Sequence, residues 1–183
     1  MKKYIYSLAL LLIFVLGCSE HSSIVAPSQT TDNEPNWIVS SSNNSLEKDA
    51  SVSKLIYGDQ ESLLEINTNY AGGIGWISIT ANARFQRYSF VGSKYVTMTV
   101  NDAFGTTTFS PSGAFSKPVI YNLTIVGLDL SGINPANVKF VYMAPDGNYY
   151  VPQYDRLYVE IQSGKLQIEN ARLPHFSRYG FVN

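Results

Sequence analysis

Hydrophobic positions change character twice along the chain. Behind Lys2 and Lys3, residues 5–16 are almost unbrokenly apolar. Residues 19–50, SEHSSIVAPSQTTDNEPNWIVSSSNNSLEKDA, are dominated by Ser, Thr, Asn, Gln and Pro, and their apolar residues follow no period. From Ser51 onward, short apolar runs alternate with turn residues. No window of about 11 to 18 residues keeps a period of 3.6, so the third region predicts strands and no substantial helix.

Two strands are expected at 52–57 and 63–67, joined by the turn Gly58-Asp59-Gln60-Glu61. A break at Ala71-Gly72-Gly73-Ile74-Gly75 precedes a strand at 76–80, with Ile77 and Ile79 on one face and Trp76 on the other. At 95–100, Val96, Met98 and Val100 alternate with Thr97 and Thr99, the period-2 mark of a strand with one buried face. Residues 101–117 read as the densest turn region. The strand at 119–126 puts Val119, Tyr121, Leu123 and Ile125 on one face, while Ile120 and Val126 make the other partly apolar. That two-sided pattern predicts a central strand. A loop over 127–137 follows, anchored by Leu128, Leu130 and Ile133. A strand at 138–143, the turn Ala144-Pro145-Asp146-Gly147 and a return at 148–151 come next.

The clearest hairpin joins 156–162 to 165–170 across the two-residue turn Ser163-Gly164. It is expected to set Ile161 opposite Leu166 and Val159 opposite Ile168. Tyr158, Glu160, Gln162, Lys165, Gln167 and Glu169 then face outward. A last strand is expected at 175–182. The whole predicts an all-β fold, an antiparallel β-sandwich of about nine or ten short strands.

The apolar run of 5–16 is too short to cross a hydrocarbon core, which takes about 20 helical residues. It has the form of a secretory signal peptide. Val15-Leu16-Gly17-Cys18 after it resembles the lipobox of bacterial lipoproteins. The resemblance implies cleavage before Cys18, thioether lipidation of Cys18 and acylation of the new amino terminus. It further implies a palmitate-type anchor in the bacterial cell envelope, with Ser19 after the cysteine favouring the outer membrane where the host has one. The expected organisation is signal peptide over 1–17, lipidated cysteine and flexible linker over 18–50, and a β-sandwich domain over 51–183. A coil of about 32 residues spans on the order of 30 Å r.m.s.. Trp37-Ile38-Val39 is its exception, apolar enough to pair as an edge strand, to dock in a groove, or to be a locally sticky linker.

Composition adds three constraints. The 13 Tyr and 9 Phe of the 183 residues favour strands, and the length suits one domain. With 13 basic and 14 acidic residues and no basic cluster, the chain has no electrostatic footprint for nucleic acid. The single cysteine, Cys18, leaves no intramolecular disulfide, thiolate metal site or cysteine nucleophile for the domain.

Candidate chemistry is sparse. A hydrolytic triad needs a histidine base, and only His21 and His175 exist, the first in the linker. Ser110 and Ser112 sit among Pro and Gly but not in a G-x-S-x-G elbow. The carboxylates Asp102, Asp129, Asp146, Asp155 and Glu160 fall mainly in turns, where aspartates cap local backbone. Asp146-Gly147-Asn148 and Asp59-Gln60-Glu61 offer calcium-type oxygens without the spacing of a calcium loop. No catalytic, cofactor-binding or metal-ligating residue is therefore assigned. The remaining lead is aromatic: Trp76, Tyr149, Tyr150, Tyr154 and Tyr158 form a candidate binding patch for sugar faces or a protein partner, or else cover the second face of a sheet.

Gly72-Gly73, then Ile77 to Phe85, Val96 to Val100 and Phe109-Ser110-Pro111-Ser112-Gly113-Ala114-Phe115-Ser116-Lys117-Pro118 follow an order that carries a family resemblance. It resembles the β-sandwich domain shared by netrin receptors, zonula occludens proteins and ankyrins, the ZU-five type, which has bacterial envelope relatives. His175 to Phe181 resembles the closing strand of those bacterial members. The resemblance spans roughly 51–183 and departs from the family at Ala81-Asn82-Ala83, where Pro and Gly are usual, and at Phe85, in place of Leu. It implies a non-catalytic structural or interaction module and carries no catalytic residue over. The expectation is thus a lipid-anchored envelope protein whose partners are the membrane and an envelope protein or glycan. A glycan-binding or carbohydrate-active surface lipoprotein is the rival expectation.

Overall fold

Two long strands set the architecture of the computed structural model, which describes residues 35–40, 49–72, 75–144 and 146–183. The expected signal peptide, the lipobox-like residues 15–18 and Cys18 lie outside the described residues, as do Gly73, Ile74 and Pro145. In chain order the strands are β1 (Asp49–Tyr57), β2 (Ser62–Ala71), β3 (Trp76–Phe85), β4 (Ser93–Asn101), β5 (Thr106–Val126), β6 (Lys139–Met143), β7 (Tyr149–Tyr150), β8 (Arg156–Glu160) and β9 (Lys165–Val182). Every pairing is antiparallel.

β5 and β9 pair along most of their length, with register breaks at 108/113, 114/119 and 121/123. Their two halves serve different neighbours. The first half of β5 and the second half of β9 lie between β4 and β6, giving one layer ordered β1-β4-β5-β9-β6-β7. The other halves lie between β3 and β8, giving a second layer ordered β2-β3-β5-β9-β8. Phe109 and Tyr121 are 12 residues apart on β5, roughly 40 Å if the strand ran straight. Their rings meet edge to face at 5.6 Å. The strand therefore folds over at its bulges and closes a sandwich around one core.

That core follows the period-2 pattern. Val96, Met98 and Val100 of β4 face Leu64 and Ile66 of β2, Ile77, Ile79, Ala81 and Ala83 of β3, and Val119, Tyr121, Leu123 and Ile125 of β5 within one buried cluster. Aromatic rings bridge the layers, Phe85 with Phe176 at 6.3 Å and Tyr121 with Phe140 at 6.4 Å. The strand at 119–126 is central as expected, paired with β3 on one side and β9 on the other. Leu128 and Leu130 are buried anchors of the loop that follows.

Three expectations about local structure are corrected. The turn region of 101–117 shrinks to 102–105, and Thr106 opens a continuous strand of 21 residues. Pro111 sits inside the 108/113 register break, which Gly113 closes by pairing with Phe176, so the missing proline N–H costs no ladder bond with β9. The hairpin of β8 and β9 pairs Val159 with Leu166 and Leu157 with Ile168, two residues off the expected register. Its turn has four residues, because Gly164 takes φ +59° and its N–H closes on the Ile161 carbonyl at 3.2 Å. A shift of two keeps every strand residue on its face, but it moves Ile161 from the core to the exposed turn. Finally, the expected separate strand at 175–182 is the second half of the 18-residue β9.

Part of the expected linker belongs to the fold. Residues 35–40 form a strap along the end of β9: the Ile38 N–H donates to the Phe181 carbonyl at 2.8 Å, and Trp37 bridges to Val182. Trp37 packs with Val141 and Val182. Its ring edge lies over Gly180, where an added Cβ would stand 2.9 Å from Trp37 Cζ3.

Candidate functional site

The second layer presents a flat polar surface on the side away from the core. Alternation on β3 buries Ile77, Ile79, Ala81 and Ala83 and turns Trp76, Ser78, Thr80 and Asn82 outward. Pairing aligns one outward residue from each strand in the row Tyr158, Gln167, Thr124, Thr80 and Asn67. One row along, the Asn122 amide donates to Asn82 Oδ1 at 3.0 Å, and Asn122 Oδ1 accepts the Asn170 N–H at 2.8 Å. Such side-chain bonds tie neighbouring strands together on this face. Lys165 places its ammonium 5.1 Å from the centre of the Tyr158 ring.

Trp76 stands at the corner of this surface, 72% exposed. Its backbone is nonetheless fixed, paired with Ala71 on β2 and with its carbonyl seated where a Cβ on Gly127 would come to 2.1 Å. The ring is thus held out by a rigid strand.

The tyrosines expected beside it divide between the layers. Tyr149 and Tyr150 lie exposed on β7, at the edge of the first layer, whereas Tyr158 lies on β8 in the second. The Tyr150 hydroxyl donates to Asp146 at 3.2 Å, and its ring rests 5.6 Å from that of Tyr142. The charge of Asp146 raises the Tyr150 hydroxyl above its usual value. In turn, donors from the Asn148 side chain and backbone hold the Asp146 carboxyl low. Tyr154 departs from the expected patch: it is half-buried and packs against the core. The five aromatic candidates therefore form two surfaces and one packing residue.

Comparisons with protein-family models, curated proteins and solved structures return no match.

The acid and base candidates are each taken up locally. Asp102 is buried in the turn after β4 and accepts the Tyr70 hydroxyl at 2.6 Å. Asp129 caps Ser131, whose side-chain and backbone donors lower its carboxyl. Asp155 meets Asn170 at 2.9 Å and Arg172 at 3.6 Å, and Glu160 accepts from Ser163 at 2.6 Å. His175 is half-buried against the Tyr142 ring at 4.6 Å, and burial lowers its imidazole below the usual value. Its carbonyl accepts the Tyr179 hydroxyl at 2.6 Å, a structural role for this turn of β9.

Sequence reasoning passed over one concave feature. Phe115, Pro118, Tyr142, Val151, Pro152 and Pro174 line an apolar groove of about 310 Å³ beside the β7 tyrosines. Its residues come from four separate stretches that only the bent course of β5 brings together. The recurrent prolines at 118, 152 and 174 were the available signal.

Proposed function

We propose that this chain is a non-catalytic interaction module, held at the bacterial envelope by lipid on Cys18 and binding an envelope component through the outer surface of its second layer. The observation that carries the reading is Trp76, a large ring 72% exposed on a strand whose backbone is fixed. Rigid exposed aromatics supply contact area at little entropic cost, which is why Trp and Tyr dominate binding hot spots. The polar row from Tyr158 to Asn67 crosses β3 at Thr80, on the same face as the anchor, and offers the hydrogen-bonding groups usual at an interface rim. The resemblance to the ZU-five type supports the same assignment of a scaffold that binds and does not catalyse.

The test is crosslinking in the native envelope followed by mass spectrometry, with Trp76→Ala and Tyr158→Ala compared with the unchanged chain. Both side chains are exposed, so the variants keep the fold. Loss of one specific crosslinked partner in the variants supports the reading; an unchanged partner profile overturns it.

A further inference from the structure

The end of the sandwich opposite Trp76 carries a different surface. Leu55 and Tyr95 form a cross-strand pair on the outer side of β1 and β4, and Tyr57 follows one step on, paired with Ser93. The connection from β3 to β4 closes over them: the Gly58 N–H donates to the Gly92 carbonyl at 2.8 Å, and the Tyr88 N–H donates to the Gly58 carbonyl at 2.5 Å. Val91 is 93% exposed there, and Tyr57, Tyr88 and Tyr95 are each about half exposed or more. An exposed cluster of aliphatic and aromatic residues on one end of a small domain marks an interaction site.

Cations ring that cluster. Arg87 and Lys117 sit 6.0 and 5.6 Å from the centre of the Tyr88 ring, and Lys94 sits 5.7 Å from that of Phe90. Lys54 lies next to Leu55 on β1, its ammonium donating to the Leu63 carbonyl at 3.2 Å. Tyr88 also holds φ +68°, a left-handed conformation that strains an L-residue. The fold thus keeps a strained tyrosine exposed between two cations, and such outliers gather at functional positions.

We propose that this tip docks on an anionic lipid surface. The residue types are those of a membrane interface: tyrosines whose rings lie at headgroup level with the hydroxyl in water, lysines and arginines reaching the phosphates, and one aliphatic residue at the apex to enter the acyl boundary. Each cation near an anionic leaflet adds a small attraction that salt screens, so the three beside these rings give a weak, salt-sensitive attachment. That suits a second contact for a chain already held by lipid. A tip bound to the membrane lays the sandwich on end, with the Trp76 corner turned toward the envelope space. The surface is separate from the one carrying the proposed function, and the two stand or fall independently.

A chain beginning at Ser19 keeps every described residue and removes both leader and lipid. Its cosedimentation is measured with vesicles of phosphatidylcholine alone and with vesicles enriched in phosphatidylglycerol. Binding is expected to the anionic vesicles only, to fall as salt rises, and to drop about tenfold in the triple variant Arg87→Ala, Lys94→Ala, Lys117→Ala. Val91→Asp is expected to weaken it similarly while the melting temperature is kept, since Arg87, Val91 and Lys117 are exposed and Lys94 is only half-buried. Absence of binding to anionic vesicles overturns the proposal, as does binding that these variants leave unchanged. A crosslinked envelope protein lost in the variants, with no vesicle binding, also overturns it and makes the tip a protein interface.

Discussion

The hydroxyl of Tyr121 lies 2.6 Å from Thr107 Oγ1 in the buried core, although both residues belong to β5. In a straight strand they would stand about 46 Å apart. The bond therefore exists only because the strand passes from one layer to the other, and it ties the two crossings together.

Removing either partner leaves a buried hydroxyl without its mate. Tyr121→Phe and Thr107→Val are each expected to cost about 1–3 kcal/mol in urea unfolding. The double variant should cost clearly less than the two single losses combined, since it strands neither group. Strict additivity would show that the bond adds nothing.

Gly164 should tolerate no side chain. Its φ is +59°, and an added Cβ would come 1.9 Å from the Leu128 carbonyl oxygen. Gly164→Ala is expected to lower stability by on the order of 3 kcal/mol or more. Gly147 offers the control, with φ +82° but open space around it, so Gly147→Ala should cost only about 1 kcal/mol. Thermal melts of the two variants make the comparison.

Alkaline pH should unfold the domain. Burial raises the hydroxyls of Tyr121 and Tyr179, and burial together with Asp102 raises that of Tyr70. A folded-state value above the unfolded one means stability is complete below about pH 10, the unfolded tyrosine value, and is lost as pH rises beyond it. Tyrosinate absorbance should then appear in two steps, exposed rings first and these three with the unfolding transition. A single step at the ordinary value, with the fold intact, would contradict this.

Trp37 and Gly180 should behave as one unit. Gly180→Ala sets a Cβ 2.7 Å from Thr106 Cγ2 and 2.9 Å from Trp37 Cζ3. The strap is expected to lift, with a loss of blue-shifted tryptophan emission. Trp37→Ala removes the same contact at about 3–5 kcal/mol. Adding it to Gly180→Ala should change stability little further.

Cys18→Ala should leave the chain unprocessed or free of the membrane fraction, as read from gel mobility and fractionation. A variant that is still cleaved and still membrane-bound through its amino terminus would remove the lipid from the proposed function.

Much of the fold was legible because its strands are locally consistent. The alternation of Val96, Met98 and Val100, and of Val119 to Ile125, states which side is buried without reference to any partner. What stayed hidden depends on distant residues. The first part of β5 reads as turns because Pro111 and Gly113 are breakers, and only its pairing with β9 shows a strand with a register break there. The hairpin register turns on one left-handed glycine, and the two-residue alternative fits the side-chain pattern equally well. Trp37 finds its seat at Gly180, far along the chain. Among candidate residues, Trp76 was legible from alternation, whereas Tyr154 lay inside the same aromatic run and packs inward. The tyrosines at 57, 88 and 95 are scattered in sequence and meet only where β1, β4 and the β3–β4 connection converge.

The strap gives the domain a mechanical order of failure. A pull on the chain ahead of Pro35 first loads the Asn36 bonds to Asn183 at 3.3 and 3.4 Å, then the Ile38 bond to Phe181 at 2.8 Å and the Ser40 bond to Ala103 at 2.9 Å, together with the indole seated on Gly180. Only when these yield does tension reach Asp49 and the nine-residue ladder of β1 with β4. Residues 35–40 thus act as a fuse, absorbing modest force at the periphery and re-seating afterward while the sandwich stays closed.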